Sequence, residues 1–106
     1  MKAIRGATTV SADTPDAIRA AVKELLDEIK AQNKLSAEDI LFILFSNTSD
    51  IRSLYPAKAA REAGYSSSAL FSAAEPDIEN SLKLCIRVML LVENCFEVKH
   101  IYLHGA

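Results

Sequence analysis

Cysteine is scarce: Cys85 and Cys95 are the only two in 106 residues. Two thiols cannot build a disulfide framework, and neither has the spacing of a zinc ligand. An excess of positive charge is also missing. Twelve Lys and Arg against 14 Asp and Glu give a formal net charge of −2. That excludes a basic field for nucleic acid and a polybasic patch for a membrane surface. No strictly apolar run exceeds six residues, far short of the roughly 20 that span a bilayer. The opening MKAIRGATTV has no long apolar core, so no secretory leader is expected. There is no G-x-S-x-G elbow, P-loop, dinucleotide fingerprint or H-E-x-x-H. A soluble cytoplasmic protein is the expectation.

Half of the residues are hydrophobic. That is a large share for a single small domain, whose surface-to-volume ratio is poor. Surplus apolar surface is expected to be covered by further copies of the chain. The segment SADTPDAIRAAVKELLDEIKAQNK predicts one long helix. Asp13 or Thr14 can cap it, Pro15 suits the first turn and Asp16 complements the dipole. Ile18, Val22, Leu25, Leu26 and Ile29 form one apolar stripe. PAKAAREAG (56–64), opening on proline and ending on glycine, predicts a short helix. Strands are expected at 2–10, 39–45, 65–73, from about 85 to 92, and at 99–104. SNTSD (46–50) reads as a turn and 74–81 as an irregular connection with at most one helical turn. The fold class is therefore α+β: a mixed sheet with one long and one short helix. DILFILF (39–45), continuously apolar, predicts a strand buried on both faces.

CIRVMLLVE (85–93) carries one arginine in an apolar run. In an extended chain Cys85, Arg87, Met89 and Leu91 share one face, and Ile86, Val88, Leu90 and Val92 the other. Both faces are apolar enough to need cover. The long helix can cover one, and only a neighbouring subunit is large enough for the other. Arg87 is thus expected near a covered surface, where an unpaired charge costs several kcal/mol, roughly. It can pair with an internal carboxylate, reach the rim, or await an anionic ligand. Other polar residues have the same double reading: Arg5 beside Gly6, Lys58 and Arg61 on the short helix, Glu75 among small residues, and Tyr102 in the last strand. Lys58 reads best as part of a solvated helix face. His100 and His104 lie on the face of Tyr102, but four strand residues span about 13 Å, too far for two ligands of one ion. Such a set suits binding a small polyanion and stabilising negative charge, not nucleophilic catalysis. Both cysteines read as small core hydrophobes.

IRGATTV (4–10), SNTSDIRSLYPAKAAREAG (46–64), AAEPDIENSLKLCIRVML (73–90) and HIYL (100–103) resemble the monofunctional chorismate mutases of the trimeric bacterial type. The likeness runs in order through nearly the whole chain, and the spacing from Glu75 to Arg87 fits. The resemblance implies a homotrimer whose three sheets form a pseudo-α/β barrel, with helices outside and active-site clefts at subunit interfaces. It implies conversion of chorismate to prephenate by an intramolecular Claisen rearrangement, with no nucleophile, metal or cofactor. It implies roles as well. Arg87 would donate to the ether oxygen and a carboxylate. Glu75 would accept from the ring hydroxyl. Arg5 and Tyr102 would bind substrate carboxylate, Arg61 would sit at the cleft mouth, and Tyr55 would be an aromatic wall where the family has phenylalanine. Phe71, Ser72, Ala73 and Ala74, with Glu75, would line the ring; Ser72 stands where a relative has cysteine. Family members continue past the position of Ala106 with apolar residues and another arginine, a tail that helps close the cleft; a single domain over 1–106 lacking that tail is the expectation. A non-catalytic trimeric module that binds small carboxylates, and an enamine/imine deaminase-like enzyme of similar architecture, are the alternatives.

Overall fold

In the computed structural model, which describes residues 1–106, the long helix α1 (Pro15–Gln32) starts where Thr14 accepts the Ala17 N–H at 3.2 Å. Its stripe of Ile18, Val22, Leu25, Leu26 and Ile29 is fully buried. The strands are β1 (Lys2–Thr9), β2 (Ile40–Asn47), β3 (Ala69–Ser72), β4 (Cys85–Val92) and β5 (Ile101–Tyr102). They form one mixed sheet in the order β3-β2-β4-β1-β5. The short helix α2 (Pro56–Glu62) packs beside α1, and Gly64 follows it at a φ of +102°, where a Cβ would be strained. Both helices lie on the same side of the sheet, because Ala57, Ala59 and Ala60 join the core of α1 with Ile4, Ile43, Phe45, Ile86, Val88, Leu90 and Val92. No helix is long and apolar enough to cross a membrane.

The strand expectations meet different fates. β4 starts at Cys85, which the sequence left open, and ends at Val92 as expected; β1 differs by one residue. The strand expected at 65–73 shrinks to four residues, and the one at 99–104 to two. His104 leaves the strand with a φ of +52°, so the alternation that put His100, Tyr102 and His104 on one face is broken. The segment between β3 and β4 makes no helical turn. The turn expected at 46–50 begins later, since Ser46 and Asn47 belong to β2.

β2 is not buried on both faces. A register irregularity between Ile40 and Phe42 lets Ile40, Ile43 and Phe45 all point into the core. Phe42 is left 38% exposed and Leu44 half-buried on the other side. β4 behaves likewise: Ile86, Val88, Leu90 and Val92 are buried, whereas Met89 and Leu91 are partly covered and Arg87 is exposed. Pairing across the sheet puts Arg5, Ala7, Leu44, Ser46, Arg87, Met89 and Tyr102 on that helix-free face.

Two local devices place the open face. Gly6 lets β1 come close to both its neighbours. A Cβ there would lie 2.7 Å from Ile29 Cδ1, 3.1 Å from Val88 Cγ2 and 3.2 Å from the Ile101 carbonyl oxygen. The entry to β4 is held by Asp50, whose two carboxylate oxygens accept the Leu84 N–H at 3.1 and 2.9 Å. Thr48 Oγ1 donates to Asp50 and accepts the Cys85 N–H at 2.9 Å. Leu84 keeps a φ of +50° at this junction, so the clamp offsets local strain.

Gly6→Ala is expected to lower unfolding free energy by about 1–3 kcal/mol through overpacking, read from urea titration. Acid should release the Asp50 clamp. The Thr48 hydrogen bond holds the Asp50 carboxyl below its ordinary 3.8, burial opposes this, and the Leu84 amide adds to the lowering. The folded value lies below the unfolded one, so the stabilisation is complete above pH 3.8 and is lost as pH falls through the lower folded value. The melting temperature should therefore drop in that window, and Asp50→Asn should flatten the drop.

Candidate active site

Arg87 leaves the middle of β4 from the open face. Its Nε–H donates to Glu75 Oε1 at 3.1 Å. Its side chain is 44% exposed, while that of Glu75 is 13% exposed. The cover expected over Arg87 was that of a neighbouring copy, and within the single chain the residue is open. The helices take the other face of the sheet, and nothing in one copy lies over this one. Of the five N–H donors of a guanidinium, only Nε–H has an acceptor within the chain. Arg87 borders a hollow of about 310 Å³, lined also by Arg5, Gly6, Ala7, Leu44, Ser46, Val88, Met89 and Tyr102. Two cations, a phenol and a hydroxyl surround a largely apolar floor, a set chemically suited to a small anion.

Glu75 comes from the irregular connection after β3, where Ala73 N–H donates to the Phe45 carbonyl at 2.8 Å. That bond carries the chain past the edge of β2. The Glu75 carboxylate then reaches across β2, receiving Ser46 Oγ–H at 2.8 Å on the oxygen that meets Arg87. Arg5 is fixed from the opposite edge: its backbone N–H donates to His100 Nδ1 at 2.9 Å. His104 turns elsewhere, its Nε2 lying 2.7 Å from Glu24 Oε1. The two histidines do not converge.

A second group of expected residues stands apart. Tyr55, Ala57, Lys58, Arg61, Leu70, Phe71 and Ser72 line another hollow of about 310 Å³, and share no residue with the first. Phe71 and Ser72 lie on β3 at one edge of the sheet, and Tyr102 on β5 at the other. Four strand intervals separate those edges, about 19 Å. One small ligand cannot bridge them within a single copy. Ala73 and Ala74 are exposed and lie beside neither floor. Tyr55 and Phe71 are 72% and 69% exposed, aromatic surface with no cover in the chain.

Ser46 and the bond from Arg5 to His100 are not among the sequence expectations, and Lys58 is there chiefly as a solvated residue. Ser46 was placed in a turn, yet it is the polar end of the alternating row Phe42, Leu44, Ser46. That period-2 spacing was the available signal. Lys58, read as a solvated helix residue, is exposed but borders the second hollow. The bond from Arg5 to His100 had no signal, since it depends on how β5 meets β1. The cysteines keep the role expected of them. Both are buried. Burial pushes the Cys85 thiol up, partly offset by Arg87, so it is not poised as a thiolate nucleophile.

Comparison with known proteins gives consistent results. The family model described as chorismate mutase type I matches residues 1–106. The chorismate mutase AroH of Bacillus subtilis is 38% identical over 107 residues, covering 97% of this chain and 84% of its own. That of Thermus thermophilus is 39% identical over 110 residues, covering 100% of this chain and 90% of its own. A solved chorismate mutase from Clostridium thermocellum superposes with a TM-score of 0.93 at 45% identity, covering 100% of this chain and 97% of that one.

Proposed function

The chain belongs to the type I chorismate mutase family, and from that premise we propose that the hollow beside Arg87 is where it converts chorismate to prephenate. The observation that carries this reading is Arg87 itself: a permanent cation held over a ligand-sized hollow, with only one of its donors occupied.

The reaction is an intramolecular rearrangement. The ether C–O bond of the enolpyruvyl group breaks while a C–C bond forms to the ring. No proton moves and no atom leaves, so the chain needs no nucleophile. Two tasks remain. The flexible substrate must be held with its reacting carbons face to face, which removes entropy from the barrier in advance. Negative charge growing on the ether oxygen must meet a donor already in place. In this reading Arg87 donates to that oxygen and to a substrate carboxylate. Glu75 accepts from the ring hydroxyl and lies near the electron-poor ring fragment. Arg5 and Tyr102 bind carboxylate at the other side of the hollow. An arginine stays charged where burial by substrate would discharge a lysine more easily.

The second hollow supplies the rest of the cleft from a neighbouring copy. Tyr55 gives an aromatic wall, Arg61 a cation at the mouth, and Phe71 and Ser72 approach the ring, while Ala73 and Ala74 line it from the copy that supplies Glu75. Support comes from the separation of the two hollows within one chain and from the uncovered sheet face. That face leaves Phe42, Phe71 and Tyr102 exposed from one edge to the other, aromatic surface that a partner copy would bury. A homotrimer whose sheets close into a pseudo-α/β barrel would cover it.

Purified protein should turn chorismate into a product of unchanged mass without added metal or cofactor. Arg87→Lys should lose about a hundredfold to a thousandfold in kcat, with the parental circular dichroism and solution mass. A variant as fast as the parent would remove Arg87 from its role.

A further inference from the structure

We propose that Ser46 is a positioning residue for this reaction, acting through Glu75. The proposal rests on the roles given above to Glu75 and Arg87.

Glu75 stands on a segment with no strand ladder. It belongs to neither β3 nor β4, and its nearest backbone anchor is Ala73. Side-chain bonds must therefore fix the carboxylate. Two donors do so, and both choose the same oxygen: Ser46 Oγ–H at 2.8 Å and Arg87 Nε–H at 3.1 Å meet Oε1. Ser46 is the register partner of Arg87 across β2 and β4. Hydroxyl and guanidinium thus rise from neighbouring strands on one face, and the carboxylate rests between them.

The consequence lies in what stays free. Oε2 receives no hydrogen bond from the chain, so it can accept one from a substrate hydroxyl. Both terminal nitrogens of Arg87 also stay free. A carboxylate and a guanidinium left to themselves favour a two-pronged pair using both oxygens. Such a pair would occupy Oε2 and a second donor of Arg87 together. Ser46 opposes that rotation by holding Oε1 from the β2 side. It keeps the ion pair one-pronged, leaving Oε2 of the acid and the terminal nitrogens of the cation free to meet a ligand.

A double-mutant cycle tests this. Ser46→Ala removes a hydroxyl from a half-buried position and should keep the parental melting temperature and solution mass. Its kcat/KM for chorismate should fall about tenfold to a hundredfold, as expected for a displaced catalytic group. Ser46→Thr, which keeps the donor, should recover most of that loss. In a Glu75→Ala background, Ser46→Ala should cause no further loss, because nothing remains to position. Prephenate affinity by calorimetry gives a second cycle that does not depend on turnover and should show the same non-additivity. Parental kcat/KM in Ser46→Ala, or losses that add in the double variant while Glu75→Ala alone is impaired, would overturn the role of Ser46. Full activity in Glu75→Ala would instead overturn the role of Glu75, and this inference with it.

Discussion

A guanidinium cannot shed its proton to escape a poor environment, so the fold around Arg87 must supply partners without using it up. One carboxylate oxygen, 3.1 Å from Nε, is what this chain provides. The pairing is partial by construction. Glu75 arrives from a segment outside the sheet, and Ser46 catches the same oxygen from the next strand. The rest of the fold positions this arrangement. The Asp50–Thr48 clamp sets where β4 begins, and so which residue stands opposite Ser46. Gly6 lets β1 approach β4 and β5 closely enough for Arg5 and Tyr102 to border the same hollow.

Two opposed demands meet in the sheet. One face must be apolar to bury α1, and the fully buried row Ile86, Leu90 and Val92 answers that. The other face carries Arg5 and Arg87, yet it is built on Ala7, Leu44 and Met89, which would exclude water once covered. In one copy the cover is missing and the cation is half in solvent. Water there weakens its field. Stability and chemistry therefore point the same way: association of copies would bury the apolar surface and strengthen the electrostatics together.

Local signals were legible where local physics decides the outcome. The capped, striped helix α1 follows from Thr14, Pro15 and its apolar spacing. The run from Cys85 to Val92 is apolar but for Arg87, so a strand there was legible, though not where it starts. The sequence also isolated Arg87 as out of place, and Glu75 was named with it. What could not be read was set by tertiary contacts. Burial on both faces, inferred for β2 from continuous apolarity, assumed cover that one copy lacks. β5 is cut to two residues because the chain turns at Leu103–Gly105, where Thr9 Oγ1 donates to the His104 carbonyl at 2.7 Å. Ser46 looked like turn chemistry, because Ser-Asn-Thr-Ser carries the composition of a loop. Its role depends on a register that no local pattern encodes.

The central claim is that the cation of one copy and the second hollow of another make a single site. Co-refolding two defective variants tests it directly: Arg87→Lys, and a chain carrying Tyr55→Ala with Arg61→Ala. If every site takes one half from each of two copies, equal random mixing should restore about one quarter of parental chorismate mutase activity, well above the mean of the two variants. A mixture no faster than that mean would contradict the account.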